Sequence, residues 1–427
     1  MTSPDRKKAP VLNPVTLGNL PEPERYILDN GIHVHVINAG TEEITRIEFC
    51  FPAGAVVEEV PLTASTVSMM LFEGSAGQSA EEINQKLDFY GVHPAQFVEK
   101  DYAGLNMIFI NRHIENVLPL CQEILLQPDF PEDELHNLMK KRQQAFLVNR
   151  EKVSTLASDK INELLFGASH PYGKTAQKED YGNMNTSLLR NFHNDFYVTS
   201  AMTIFVSGRT HPGTISMLNR YFGSIRPGDA NKYKVTDLPP STKPVKVHVV
   251  KKGTVQSAIR IGSRTIIKTH PDYYGLKVLD TILGGYFGSR LMKNIREQKG
   301  YTYGIHSSVI SYKLSGYKAI SAEVGAAHSR DAVKEIMNEI RLLQTEPVDA
   351  DELNVVRNYM LGELVRMFDG PFAIGESFRS AWEFGLDNSY YRKFAEKINL
   401  ITPDEIIRLA EAYYKTEDLF EVIAGPE

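Results

Sequence analysis

Residues 281 to 304 hold the side chains best placed by type and spacing to do chemistry. Three glycines, Gly284, Gly285 and Gly288, precede a helix-forming run that ends at Gly300, followed by Tyr301 and Tyr303. The glycines permit a tight turn and close backbone approach. Ser289 is a candidate cap for the next helix, with Leu291 and Ile295 along its apolar side. Tyr301 and Tyr303 then fall at strand spacing, which predicts that they share one face. Arg296, on the last helical turn, and Tyr303 are expected to face one space. A guanidinium and a phenol together offer donors for a peptide carbonyl or an oxyanion. Spacing alone also fits a surface arginine and a core tyrosine. No GK[ST] follows the glycines, so they predict a structural turn and not a phosphate cradle.

Other candidates are weaker. His33 and His35 share a strand face, but no third ligand lies nearby, so both are expected to face solvent. His113 and His136 are isolated, and His170 sits in a turn where a structural role is expected. Trp382 and the neighbouring Asn388-Ser389-Tyr390 read as late-helix packing. Cys50 and Cys121 form no CxxC and lie in apolar-periodic segments, which predicts buried free thiols. A net charge of −6 without a basic run argues against nucleic acid as the main partner. Met1 to Pro23 lacks the apolar stretch of a signal peptide, and no segment approaches about 18 continuous apolar residues. The expected location is the cytoplasm, with no membrane partner.

These residues must be positioned by more than one core, because 427 residues exceed an ordinary single domain. Tyr26 to Asn38 reads as a hairpin about Asp29-Asn30-Gly31, and Ile44 to Phe51 as a strand. Helices are expected over 62–72, 80–90 (capped by Ser79, with Ile83, Leu87 and Phe89 inward), 131–150, 152–166 and 187–196. Strands are expected at 101–110 and 201–207. The second half repeats the first: Tyr197 returns as Tyr414 and Gly208 as Gly425, at one common offset. Each copy reads as strands, helices, strands, three or four helices and a closing strand. That order predicts an α+β fold of two duplicated sandwich domains, each an antiparallel sheet with packed helices. The divisions are an N-terminal arm (1–23), a first half (24–225), a proline-bearing linker (226–245) and a second half (246–427).

Three motifs carry a family resemblance: Leu71-Phe72-Glu73-Gly74-Ser75, Phe166-Gly167-Ala168-Ser169-His170-Pro171-Tyr172-Gly173, and the run from Gly284 to Tyr303. With them the chain resembles the pitrilysin-type peptidases from about Glu24 onward, a group that includes insulin-degrading enzyme and mitochondrial processing peptidase. The resemblance implies two duplicated halves enclosing a chamber, and in active members an H-x-x-E-H helix that holds zinc. Counting back from Leu71 places that motif at Ser65, Ser68 and Met69. Hydroxyls and a thioether are poor zinc ligands, and serine is no general base at neutral pH. The family's third ligand is a glutamate about 75 residues further on. Residues 135 to 150 contain no Asp or Glu.

In active relatives an arginine and a tyrosine seven residues later reach into the chamber, grip substrate and help stabilise the tetrahedral intermediate. Arg296 and Tyr303 match that spacing. The resemblance therefore implies a chain that binds no metal or cofactor itself and is inactive alone. It would pair as a heterodimer with a homologous zinc-carrying subunit that cleaves peptides or unfolded polypeptide, with a homodimer as the other option. Two alternatives stand beside it: a non-catalytic peptide-binding or scaffold protein of the same fold, and a metallopeptidase with an atypical metal site.

Overall fold

The computed structural model describes residues 17–18, 20–228 and 243–426. Two mixed α/β halves each carry one sheet. The first is a six-stranded sheet in the order β1 (Glu24–Ile27), β2 (His33–Asn38), β8 (Thr203–Gly208), β3 (Ile44–Phe51), β7 (Ala103–Ile110) and β6 (His93–Val98). A two-stranded ribbon, β4 (Gly74–Ser75) with β5 (Gln78–Ser79), stands apart from it. The second sheet runs β9 (Lys246–Val250), β13 (Phe420–Gly425), β10 (Gln256–Thr265), β12 (Gly316–Gly325) and β11 (Thr302–Ser311).

The two sheets share one topology. The closing strand β8 lies parallel to β2 and antiparallel to β3, and β13 lies parallel to β9 and antiparallel to β10. The closing strands begin at Thr203 and Phe420, the same offset that separates Tyr197 from Tyr414. In the first half the intervening helices are α1 (Thr63–Met70), α2 (Ala80–Phe89), α3 (Ile114–Leu126), α4 (Glu132–Arg150), α5 (Val153–Phe166), α6 (Lys178–Asn183) and α7 (Thr186–Phe196), with α8 (Thr214–Leu218) after β8. In the second half they are α9 (Tyr273–Asp280), α10 (Ser329–Thr345), α11 (Ala350–Arg366), α12 (Pro371–Trp382), α13 (Ser389–Leu400) and α14 (Pro403–Tyr413). Among the described residues five helices, not three or four, run up to each closing strand, α3 to α7 and α10 to α14. Local signals set several boundaries. Ser79 and Glu82 form a reciprocal capping box on α2. Thr402 caps α14 ahead of Pro403, although the Glu405 side chain meets Lys397 instead of closing the box.

Each half has a core between its sheet and its own helices. The opposite sheet faces are closed by an exchange. Helix α5 of the first half lays Val153, Ala157, Ile161 and Leu165 against Ala258, Phe420, Val422 and Ala424 of the second sheet. Helix α12 of the second half sets Phe378 and Trp382 against Ile37, Cys50 and Phe205 of the first. Charge reinforces this second contact. Arg379 on α12 pairs with Glu48 at 2.8 Å and Glu99 at 2.9 Å, while Arg46 holds Glu48 at 2.9 Å and meets Glu376.

The exchange corrects one sequence expectation. His33 is exposed, but His35 lies under α12, stacked 5.4 Å from Phe205, and burial lowers its pKa to about 4. The far face of β2 is an interface, not a solvent face. Phe89 also departs from expectation, being 79% exposed at the end of α2. Strand β6, absent from the sequence reading, forms the outer edge of the first sheet. Both cysteines are buried and free. The expected linker falls largely on residues 229–242, outside the described residues. Of the arm, the described Leu17 and Leu20 pack on the second-half core, and Asn388 donates to the Pro21 carbonyl at 2.8 Å.

The Phe166 to Gly173 motif is a staple between halves. Tyr172, fully buried, donates from its hydroxyl to Asp101 and accepts from the Leu314 backbone N–H at 3.3 Å. The other Asp101 oxygen accepts from the Lys313 N–H at 2.9 Å. His170 Nδ1 accepts from the Tyr172 N–H at 3.0 Å, which gives this histidine its structural role. Replacing Tyr172 with Phe leaves one oxygen of a buried carboxylate without its donor. The expected loss is about 1–3 kcal/mol, read as a lowered denaturation midpoint. A change within about 0.5 kcal/mol of zero, on the order of an ordinary surface substitution, would show that the staple is not structural.

Candidate functional site

The glycine turn is held from beneath. After α9 the chain widens into a π-helical turn, Thr281–Gly285. A Cβ on Gly284 would stand 2.6 Å from the backbone nitrogen of Ser307 on β11, so only glycine lets the helix end reach the strand. Asp280, fully buried at the end of α9, accepts from the hydroxyls of Ser307 and, at 3.1 Å, of Tyr414. Burial raises the pKa of Asp280. Lys318 Nζ lies 4.9 Å from the Tyr414 ring centre, bonds Ser263 and has its pKa lowered by burial to about 8. Neither Asp280 nor Lys318 was singled out in the sequence. The signal available was a lone charge inside an apolar run, Leu279 and Ile282 for Asp280 and Ile320 for Lys318.

Gly285, which ends the turn, is exposed, and Gly288 beyond it sits close beneath the Tyr286 ring, where a Cβ would be 2.8 Å away. The second helix is π-helical over Met292–Gln298 and ends at Gly300 with φ +67°. Ser289 is buried at its start, but its hydroxyl has no hydrogen-bond partner among the described residues, so it does not act as a side-chain cap. The helix is instead tied down by long side chains. Arg290 makes a two-pronged pair with Glu352 at 3.0 and 2.8 Å, and Asn294 donates to Glu335 and Glu339.

On this anchored frame Arg296 is half-buried, its guanidinium 4.4 Å from the Phe287 ring centre, and Phe287 is itself 64% exposed. A β-bulge between Thr302 and Ile305 breaks the strand alternation. The Thr302 hydroxyl spans it, donating to Glu323 O at 2.6 Å and accepting from the Gly304 N–H at 3.0 Å. The exposures of the two tyrosines depart from expectation, since Tyr301 precedes β11 and Tyr303 lies within the bulge. Tyr301 stays half-buried, stacked 4.5 Å from His328, while Tyr303 is 93% exposed. No hydrogen bond or ion pair engages Arg296 or Tyr303 among the described residues. Neither bonds to the other, and neither bonds to the degenerate motif. The structure thus leaves a guanidinium, a phenol and an aromatic ring presented to solvent on a fixed support. Such groups could donate to a carbonyl or a developing oxyanion of a polypeptide brought to them.

The first-half motif lies on α1. Ser65 is half-buried, Ser68 is buried and its hydroxyl has no partner among the described residues, and Met69 is 40% exposed. The Ser65 and Thr66 hydroxyls both donate back to Leu62 O, at 3.0 and 2.7 Å. Arg142, from α4, then donates to Thr66 Oγ1 at 2.7 Å and to Ser65 Oγ at 2.8 Å. This arginine was missed in the sequence, although it stands 77 positions beyond Ser65, where the family's third ligand is expected. Two hydroxyls, a thioether and a guanidinium do not fit zinc. Among the described residues no group of three or more His, Cys, Asp or Glu could hold a metal ion. Glu58 accepts from the backbone N–H groups of Leu62 and Ala64 at the start of α1, at 3.3 and 3.0 Å, and burial pushes its pKa up to about 7.

Residues 183–360 match the family described as the Peptidase M16 inactive domain, a span that takes in Arg296 and Tyr303. The chain is 25% identical over 349 residues to a Bacillus subtilis protein named uncharacterized zinc protease YmxG, covering 80% of this chain and 83% of that one. It is 24% identical over 312 residues to the non-peptidase homolog YmxG of Helicobacter pylori, covering 70% and 69%. The crystal structure of a peptidase M16 inactive domain from Pseudomonas fluorescens superposes with a TM-score of 0.84 at 21% identity, over 95% of this chain and 98% of that one. The likeness read from the motifs thus extends to the sequence at large and to the fold.

The Glu58 environment sets a pH dependence. Its folded pKa lies above the ordinary 4.5, so the folded state binds the proton more tightly than the unfolded state. The stability this lends is present below pH 4.5 and is lost as pH rises through about 7. Glu58→Gln removes that charge. Its stability relative to the parent protein should therefore climb as pH rises from 4.5 to about 7, in urea melts at each pH. A difference independent of pH would refute the assignment.

Proposed function

We propose that this chain, a half-length pitrilysin-type member without the zinc motif, is the non-zinc subunit of a peptidase pair. In this reading a homologous partner carries zinc and activates water. The present chain brings Arg296 and Tyr303 to the substrate in the partner's site, along with half of the enclosing wall. The observation that carries it is the contrast between the two halves. The motif helix of the first half is bound by Arg142, whereas the second half presents a guanidinium and a phenol without hydrogen bonds on a support tied down by Arg290, Asn294 and Asp280. Presenting two polar side chains on a tied-down support, with no hydrogen-bond or ion-pair partner among the described residues, suits an external ligand.

Mechanistically, the Arg296 guanidinium would bind a substrate carbonyl and fix its register, while the Tyr303 hydroxyl donates to the oxygen that gains charge in the tetrahedral intermediate. Phe287, beside Arg296, would supply an apolar contact for the peptide. We place the pair in the cytoplasm. The described residues contain no helix long and apolar enough to cross a membrane.

A second reading has its own support. One relative bears the name non-peptidase homolog, and the guanidinium seated at the motif helix makes the first half a finished structure, as a scaffold or peptide-binding protein would have. Purification of this chain with its zinc-carrying homologue separates the two. The pair should cleave unfolded peptides in a chelator-sensitive way while this chain alone does not. Arg296→Ala and Tyr303→Phe should each lower turnover by about 10²–10³. Unchanged turnover in both variants would remove the catalytic role, and peptide binding without hydrolysis by the pair would establish the scaffold.

A further inference from the structure

Arg142 has a feature that its role as a packing residue does not explain. It is a half-buried cation, and no carboxylate of the described residues forms an ion pair with it. Burial lowers its pKa, opposed first by the Tyr181 phenol and then by Glu58, neither of which forms a hydrogen bond with it. Both Glu58 oxygens are already taken by the Leu62 and Ala64 N–H groups. A desolvated guanidinium without a counter-ion is costly, and an anionic ligand would relieve that cost.

The surroundings fix how such a ligand would be met. The Ser65 and Thr66 hydroxyl hydrogens are committed to Leu62 O, so both oxygens can only accept from Arg142. That pins one N–H on each terminal nitrogen. A guanidinium has five N–H groups, so three remain, and no described residue takes them. The position is not sealed. Ser65 is half-buried, and Met69, one turn along the same face of α1, is 40% exposed. On α4, Ala145 is exposed and Phe146 lies one turn from Arg142, 5.2 Å from the Tyr181 ring. A fixed, partly dehydrated fork beside apolar and aromatic groups is the arrangement that recognises a carboxylate in two-pronged fashion.

We propose that Arg142 turns the vacated zinc position of the first half into a carboxylate-binding site for polypeptide. The ligand is either the C-terminal carboxylate of a peptide or an Asp or Glu side chain within one. The site takes its location from the degenerate motif, but it owes nothing to a partner subunit or to Arg296 and Tyr303.

The test therefore uses the full-length chain alone and reads binding, not cleavage. Three fluorescein-labelled versions of one unstructured octapeptide serve as probes: free C-terminus without acidic side chains, amidated C-terminus with one internal Glu, and amidated with neither. The expected result, by fluorescence anisotropy, is that at least one carboxylate-bearing peptide binds about tenfold or more tighter than the neutral one. Which one it is identifies the source of the carboxylate. Sodium acetate should displace it better than sodium chloride at equal ionic strength. Arg142→Gln should abolish the discrimination, and Arg142→Lys should restore only part of it, since an ammonium keeps the charge but not the fork. Equal binding of all three peptides, absence of binding, or discrimination that survives in Arg142→Gln would overturn the site. If Arg142→Gln fails to fold, the peptide series and the acetate competition on the unmodified chain still decide. Loss of catalysis in a reconstituted pair would leave this result untouched.

Discussion

The structure depends on a mutual debt between its halves: neither sheet can be covered without a helix from the other. A sheet whose two faces are both apolar must find a layer for each. Here each half supplies one layer to itself and lends the second. Helix α5 closes the second sheet through Val153, Ala157, Ile161 and Leu165, and α12 closes the first through Phe378 and Trp382. The polar contacts follow this exchange. Arg379, Glu48, Glu99 and Arg46 clamp α12, while Tyr172 and Asp101 hold the Lys313-Leu314 corner. A family motif that reads as a turn in the sequence is in fact part of this seam.

The same economy of support governs the two motif regions, with opposite outcomes. In both, a helix end is gripped from a neighbouring element. In the second half the grip lies below the surface, at Asp280, Ser307 and Tyr414, and the outward side chains Arg296, Tyr303 and Phe287 are left unengaged by hydrogen bonds within the described chain. In the first half the grip comes from Arg142, whose side chain reaches across to Ser65 and Thr66. A duplicated architecture has diverged by shifting where the anchoring hydrogen bonds are made. One copy leaves the side chains of its motif region outward, and the other bonds them into its own frame.

Much of this was legible in the sequence. The common offset from Tyr197 to Tyr414 and from Gly208 to Gly425 reported the duplication, because the closing strands themselves begin at that offset. The hairpin at Asp29-Asn30-Gly31, the strand from Ile44 to Phe51 and the caps at Ser79 and Thr402 were visible because each is decided by local chemistry. What escaped were the consequences of distant packing. Period-two alternation placed His33 and His35 on one face of β2, but only α12, from the other half of the chain, makes His35 a buried residue. Strand spacing placed Tyr301 and Tyr303 together, but Tyr301 precedes β11 and is half-buried, whereas Tyr303 falls within the bulge and is exposed. Residues 135 to 150 carry no acidic side chain, and the contact of Arg142 with α1 depends on the packing of two helices that are distant in sequence.

The exchange of helices also has a consequence in time. During synthesis the chain emerges from its N-terminus, and α5 is complete when most of the second half, including its covering strand β13, has yet to be made. Until then Val153, Ala157, Ile161 and Leu165 present a bare apolar stripe, and the far side of the first sheet, with Cys50 and Phe205, waits for α12. The second sheet waits longer still, because β13, which lies between β9 and β10, comes at the very end of the described chain. Even Leu20, near the start of the chain, docks on a core that opens with Ile259. Contacts of such long sequence separation slow folding and prolong the exposure of sticky surface. The interlock that makes the finished molecule a single body therefore makes the nascent one dependent on its own last strand.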